Sequence, residues 1–136
     1  MYRWVEHTAE VELEIEADGE RAVLADALAA LAELLGAGDD EYPARAGPLE
    51  ERTVRVSAAD RPALLAGWLE ELVFAAESDG FVAAAIERLE LRADGLTATV
   101  AGIRGDPPPL VKAVTYHRLL FEPSERGYRA RVVLDV

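Results

Sequence analysis

The chain contains no cysteine, and its fourteen basic residues include a single lysine, Lys112. The absence of cysteine excludes disulfides, thiol chemistry and zinc–thiolate sites. No apolar run is long enough to cross a bilayer, and the opening Met-Tyr-Arg-Trp lacks the apolar core of a signal peptide. We therefore expect a cytoplasmic protein that does not associate with a membrane.

Positive charge is scarce, since 26 acidic residues outweigh 14 basic ones and the net charge is −12. This charge argues against independent nucleic-acid binding, because phosphates require a basic surface. An acidic surface suits basic protein partners or hard cations, although it also serves solubility alone. Because arginine is used everywhere else, Lys112 marks a position that needs a compact, flexible charge.

The most regular stretch runs from Glu10 to Glu16 and alternates glutamate with Val11, Leu13 and Ile15. This period of two predicts a strand with one wet and one dry face. Like charges along one face repel each other. We therefore expect a positive group near that face, which could be an arginine or lysine of a neighbouring strand, a metal ion or a partner.

The rest of the pattern predicts the element order β-α-β-α-β-β-β-β. Apolar stripes predict helices over residues 20–35 and from Asp60 to about Glu77, each closed by a glycine. Strands are predicted over residues 53–57, 81–92, 96–101, 111–122 and 128–136, with a bulge near Glu87 and loops over 37–48 and 102–109. This order favours one domain, residues 1–136, of the α+β class: a mostly antiparallel sheet with two helices packed on one face.

Strand parity brings a small set of polar groups to the open face of that sheet. If the strands are neighbours, Glu10, Asp135 and Lys112 share one surface, and Val136 adds further oxygens. Two converging carboxylates can hold Mg²⁺ or Ca²⁺, with water completing the coordination. On spacing alone, the simpler interpretation is that these acids pair with Arg129 and Arg131 at the surface.

The two histidines are candidates for metal binding or acid–base chemistry only if a partner lies within reach. His7 precedes the first predicted strand, and His117 falls on the core-facing parity of the strand over 111–122. A hydrogen-bonded structural histidine is the more common case for both. The sequence carries no nucleophile elbow, phosphate loop, zinc-protease or dinucleotide motif.

Two sequence segments taken together resemble the archease family. Residues 6–10, E-H-T-A-E, resemble the family's H-T-A-D opening, and residues 111–117, V-K-A-V-T-Y-H, resemble its K-A-x-T-Y-H segment. The second predicted helix and the closing Leu134-Asp135-Val136 agree in order, so that the resemblance covers the whole chain. Glu10 stands where the family has aspartate, and Ile103 stands where it often has glutamate.

The resemblance implies an α+β fold with a strand-helix-strand module and a non-enzymatic accessory role. Archeases assist the RtcB-type RNA-splicing ligase in tRNA splicing and RNA repair, promoting its metal-dependent guanylylation and its turnover. It further implies a divalent-metal site, with Ca²⁺ expected and Mg²⁺ or Mn²⁺ as alternatives, and no organic cofactor. The matching positions are Glu10, Asp135 and Val136 for the metal, with Lys112, His7 and His117 in the motif segments.

Two other functions stay open on the sequence alone. One is a chaperone-like role toward an RNA-modifying enzyme such as a tRNA methyltransferase, which is also attributed to the family. The other is a metal-dependent hydrolase that uses the carboxylates and His117. The partner enzyme, the metal and the oligomeric state do not follow from the sequence.

Overall fold

The computed structural model describes residues 1–36, 49–105 and 111–136 of the chain. They form two helices and seven strands, in the order β1 Tyr2–His7, β2 Glu10–Ala17, α1 Glu20–Leu34, β3 Glu50–Ser57, α2 Arg61–Asp79, β4 Phe81–Arg92, β5 Gly95–Arg104, β6 Ala113–Ser124 and β7 Gly127–Asp135. The predicted α+β class, with antiparallel pairing and two helices, is confirmed.

The strands form two sheets, of order β1-β2-β7-β6 and β3-β5-β4, and every pairing is antiparallel. Helix α1 contacts β2 of the first sheet and β4 of the second, while α2 contacts β6 of the first and β3 and β4 of the second. The two helices thus cover the apolar faces of both sheets. The strand-helix-strand module is β3-α2-β4, with β5 between its two strands.

The N-terminal hairpin was not predicted as such, because β1 is short and only β2 alternates strictly. The turn between them places Ala9 in the left-handed region, with φ of 62°. The dry face of β2 is as expected, since Leu13 and Ile15 are each about 1% exposed. Consequently the helices pack against this face, and the glutamates of β2 face away from them.

Helix α2 begins and ends where the sequence signals predict. The Asp60 side chain accepts a hydrogen bond from the Ala63 backbone N–H at 2.9 Å, and Gly80 closes the helix in the left-handed region with φ of 67°. A Cβ at Gly80 would lie 2.1 Å from the Gly105 carbonyl oxygen, so that only glycine fits there.

The core joins the two helices through a buried indole. Trp68 of α2 is completely buried, and its Nε1–H donates to the Leu24 carbonyl of α1 at 3.0 Å. The same core cluster contains Leu64, Leu65, Leu69, Val23, Leu28 and Phe81, each at most about 2% exposed. This cluster fixes α1 against α2 and holds both helices on the sheets.

Several strand boundaries differ from the prediction. Strand β3 starts three residues earlier than expected, and β6 starts at Ala113 rather than at Val111. The bulge expected near Glu87 is present, and a second register shift lies between Ala83 and Ala85.

The predicted loop over 102–109 is wrong at its start, because the β5 ladder with β4 continues to Arg104. The remainder of that loop from residue 106, and the predicted loop over 37–48, lie outside the described residues. Within the part of the chain that the structure describes, no helix is long and apolar enough to cross a membrane.

Candidate metal site at the open face of the first sheet

The face of the first sheet that points away from the helices carries the four glutamates of β2. Residues directly opposed in antiparallel strands share a face, so that the register assigns each glutamate its neighbours. On β1, the residues opposite Glu10, Glu12 and Glu14 are His7, Val5 and Arg3 in that order. On β7, the residues opposite Glu10, Glu12, Glu14 and Glu16 are Asp135, Val133, Arg131 and Arg129 in that order.

The expectation of nearby positive charge is confirmed for the inner part of this face. The Arg3 guanidinium binds the Glu14 carboxylate at 2.6 Å. This hydrogen bond, together with a side-chain hydrogen bond to Glu12 and the charges of Arg3 and Arg131, holds the pKa of Glu14 below its usual value. Arg129, which opposes Glu16, donates from Nε to Glu122 of β6 at 2.8 Å. Arginines on the two strands that flank β2 therefore offset part of the repulsion along it.

Glu12 is neutralised from further away. Its side chain is only 4% exposed, and Nη1 of Arg118 lies 2.9 Å from its Oε1. Arg118 belongs to β6, so that its side chain reaches across β7 to meet β2. The alternation along β2 assigned Glu12 to the correct face but did not predict that this carboxylate is buried.

Glu10 is the exception on this strand, because the residue opposite it is another acid, Asp135. Among residues 1–36, 49–105 and 111–136, neither of these two side chains has a hydrogen bond or an ion pair. Arg131, one of the two partners considered on spacing, instead donates from Nε to the Arg118 carbonyl at 2.8 Å. The interpretation that Arg129 and Arg131 neutralise the Glu10–Asp135 pair is therefore wrong.

The backbone around this acidic pair is tied together from three segments. The Val136 N–H donates to the Ala9 carbonyl at 3.2 Å, and the Lys112 N–H donates to the Asp135 carbonyl at 2.8 Å. The β1–β2 turn, the end of β7 and the approach to β6 thus meet at one corner. The predicted proximity of Glu10 to Asp135 and Val136 is confirmed, whereas a metal-binding role remains a prediction.

The donor set at this corner fits a hard cation. Side chains of directly opposed residues have Cβ atoms about 5 Å apart, a separation that one ion can bridge. Carboxylate oxygens suit Ca²⁺, Mg²⁺ or Mn²⁺, and Glu10 reaches one methylene further than aspartate would. Within the described ranges no third His, Cys, Asp or Glu completes a cluster, so that the other ligands would be backbone oxygens or water.

The remaining predicted residues lie at or near the corner but not in one row. His7 is exposed and opposes Glu10 on the same face. The register places Ala113 opposite Asp135, so that Lys112 is not on the shared strand face as expected; it precedes β6 and its side chain is exposed. The register break between Thr115 and Leu120 is the reason, because the face shared with Asp135 holds odd-numbered residues of β6 before the break and even-numbered residues after it.

His117 does not face the core, contrary to its predicted parity. The β6–β7 register breaks between Thr115 and Leu120, and the side chain of His117 within this break is exposed. The missed signal is Leu119-Leu120-Phe121, three adjacent apolar residues that interrupt the alternation of polar and apolar positions. The same break carries Arg118 toward Glu12, a contact that no local pattern predicts.

Comparisons with known proteins agree with this architecture. A model of the Archease protein family matches residues 2–136. The chain belongs to the archease family. An archease of Methanopyrus kandleri is 31% identical over 97% of this chain and 96% of its own length, and one of Methanosarcina mazei is 28% identical over 99% and 95%.

Solved structures resemble the archease fold described above. The solution structure of protein 1598 of Methanobacterium thermoautotrophicum superposes with a TM-score of 0.71 at 25% identity, covering 99% of this chain and 98% of that one. A crystal structure of a Thermotoga maritima archease, named a possible chaperone, superposes with a TM-score of 0.64 at 23% identity, covering 100% of this chain and 98% of that one. The second likeness, at this identity, shows the fold alone.

Proposed function

We propose that this archease-family protein is a non-enzymatic accessory factor of an RtcB-type RNA-splicing ligase in tRNA splicing and RNA repair. In this role it promotes the ligase's metal-dependent guanylylation and its turnover in the cytoplasm. Family membership over residues 2–136 supports the proposal. The net charge of −12 supports contact with a protein partner rather than direct binding of RNA.

The observation that carries the proposal is the uncompensated acidic pair. Cross-strand like charges repel and destabilise a sheet, yet Glu10 and Asp135 are directly opposed in the β2–β7 ladder. Arginines serve the neighbouring glutamates, whereas within the described chain none contacts these two. The pair is therefore suited to receive a cation from outside.

The residues of the corner have separate tasks in this proposal. Glu10 and Asp135 bind and orient a divalent ion, and the strand ladder holds their backbones at a fixed separation. When bound, the ion supplies positive charge to which phosphate oxygens of the ligase's nucleotide site can bind. Lys112, tied to Asp135 through its backbone, adds a flexible cation beside the same corner.

The test measures guanylylation of the host's RtcB-type ligase with and without this protein. Glu10→Gln and Asp135→Asn remove one charge each with almost no change of shape, and we expect each to reduce the stimulation by about tenfold or more. Glu16→Gln is the matched control, because it removes the same charge from the same strand and face at the far end. Full stimulation by both corner variants would refute the proposed role of the pair.

A chaperone-like role toward another RNA-modifying enzyme, such as a tRNA methyltransferase, is the second candidate. Membership of the archease family supports this candidate, because one protein of that family, from Thermotoga maritima, is named a possible chaperone. Affinity capture from the native host separates the two candidates by the enzyme that co-purifies. Recovery of a methyltransferase without the ligase would support the second candidate over the first.

A further inference from the structure

The feature behind this inference is the break in β6. Residues 116–119 leave the ladder with β7, and Arg118 within them adopts a left-handed backbone with φ of 58°. A left-handed backbone is unfavourable for a residue with a side chain and persists only where other contacts hold it. Here Arg131 binds the Arg118 carbonyl at 2.8 Å, while the Arg118 guanidinium lies 2.9 Å from Glu12.

The two partners of this ion pair differ in burial. The Glu12 side chain is 4% exposed, whereas that of Arg118 is 49% exposed. Breaking a buried pair is costly because it leaves an unpaired charge out of water. Arg118 can turn its guanidinium into water at little cost, but Glu12 then needs another cation.

The contact between them is also incomplete. Although Nη1 of Arg118 lies within ion-pair distance, Oε1 of Glu12 receives no properly oriented hydrogen bond from any described residue. Thr115 of β6 and Glu12 of β2 both lie opposite Val133 of β7, one on each side of it. The hydroxyl of Thr115 is likewise buried without a hydrogen-bond partner in the described ranges. The Glu12 oxygen therefore keeps unused capacity to bind a cation.

Glu12 lies close to the proposed metal site. It is two residues from Glu10 on the same strand face, a separation of about 7 Å along the strand. Its row of the sheet is adjacent to the row that contains Glu10 and Asp135. A third carboxylate thus stands next to the acidic pair, and an internal arginine holds it.

We propose that Arg118 and the divalent cation compete for Glu12, an inference that rests on the metal site of the proposed function. Arg118 keeps Glu12 neutralised while no ion is bound. In the conformation described, Glu12 is held by Arg118 and does not form a three-residue cluster with Glu10 and Asp135. Binding of a divalent ion by that pair draws Glu12 in as a third carboxylate and releases Arg118. Metal binding is thereby coupled to the conformation of residues 116–119, which lie on the exposed edge strand of the first sheet.

The test is calorimetric titration of the full chain with Ca²⁺. We expect Arg118→Gln to bind Ca²⁺ about fivefold or more tightly, because the internal competitor is gone and coupling between sites commonly reaches this size. Arg129→Gln is the matched control, since it removes the same charge from the same face about 20 Å from Asp135 along β7, beyond the screening length of about 10 Å at 0.1 M salt. Its affinity should stay within about twofold of the original protein.

A double variant separates competition for Glu12 from a general effect of charge. In the Glu12→Gln background, replacing Arg118 should change the affinity by less than about twofold, because the shared ligand is absent. An equal gain in both backgrounds would overturn the proposal, as would an unchanged or weaker affinity of Arg118→Gln alone. If Arg118→Gln does not fold without metal, it is refolded with Ca²⁺; recovery of the fold supports the proposal, and no recovery overturns it.

The same titrations distinguish this inference from the metal site on which it rests. Binding by the original protein without a gain in Arg118→Gln overturns the competition alone. Absence of Ca²⁺ binding by both proteins overturns the competition together with the metal site. Binding of Ca²⁺ by Arg118→Gln but not by the original protein supports the competition, because Arg118 would then prevent metal binding altogether.

Discussion

The buried indole of Trp68 provides a quantitative test of how the two helices are joined. We expect Trp68→Phe to leave a cavity of about 40 Å³, which costs about 1 kcal/mol at about 24 cal/mol per Å³. The change also removes the 3.0 Å hydrogen bond to the Leu24 carbonyl. This carbonyl keeps its helical hydrogen bond, so that the loss contributes about 1 kcal/mol.

The expected destabilisation of about 2 kcal/mol corresponds to a fall in Tm of about 7 °C, because a 136-residue chain unfolds with an entropy of about 0.29 kcal/mol/K. Thermal unfolding followed by far-ultraviolet circular dichroism measures this shift. The second tryptophan offers a matched control, since Trp4 is half-buried and its Nε1–H has no partner among the described residues.

Trp4→Phe removes an unsatisfied donor along with some apolar area, and these two effects oppose each other. We expect its Tm to change by less than about 3 °C, which corresponds to about 1 kcal/mol. Equal losses in the two variants, or a larger loss at Trp4, would refute the assignment of the Trp68 hydrogen bond as a stabilising link between the helices.

Three further variants test local features of the fold. Asp60→Ala removes the N-cap of α2 and should cost about 1 kcal/mol, seen as a lower denaturant midpoint that Asp60→Asn largely restores. Gly80→Ser should cost more than about 1 kcal/mol because of its positive φ and the clash, whereas Gly19→Ser, at the N-cap of α1 with open space and an extended φ of −161°, should change stability little; equal effects would contradict this reasoning. The hydrogen bond to Glu33 raises the pKa of Tyr2 from 10.0 to about 12. The contribution of this hydrogen bond to stability is therefore complete below pH 10 and is lost as the pH rises toward 12. A titration followed by absorbance should show one tyrosine with a pKa near 12, and this tyrosine should be absent in Tyr2→Phe.

Much of the fold could be predicted because its signals are local. The cap and stop residues of α2, the hairpin turn before Gly95 and the dry face of β2 each depend on a few neighbouring side chains. The hairpin formed by β1 and the separation into two sheets were not predicted. Both depend on pairings between distant segments, which a period of two does not specify.

The candidate site likewise has features that local sequence predicts and features that depend on distant segments. The alternation of charge along β2 determined, without any coordinates, that four glutamates share a face and need positive charge nearby. Only the tertiary structure decided which glutamates obtain it, because the register sets Asp135 opposite Glu10 and the break in β6 brings Arg118 to Glu12. Local chemistry sets the direction of each side chain, whereas the partner it meets follows from the packing of the whole chain.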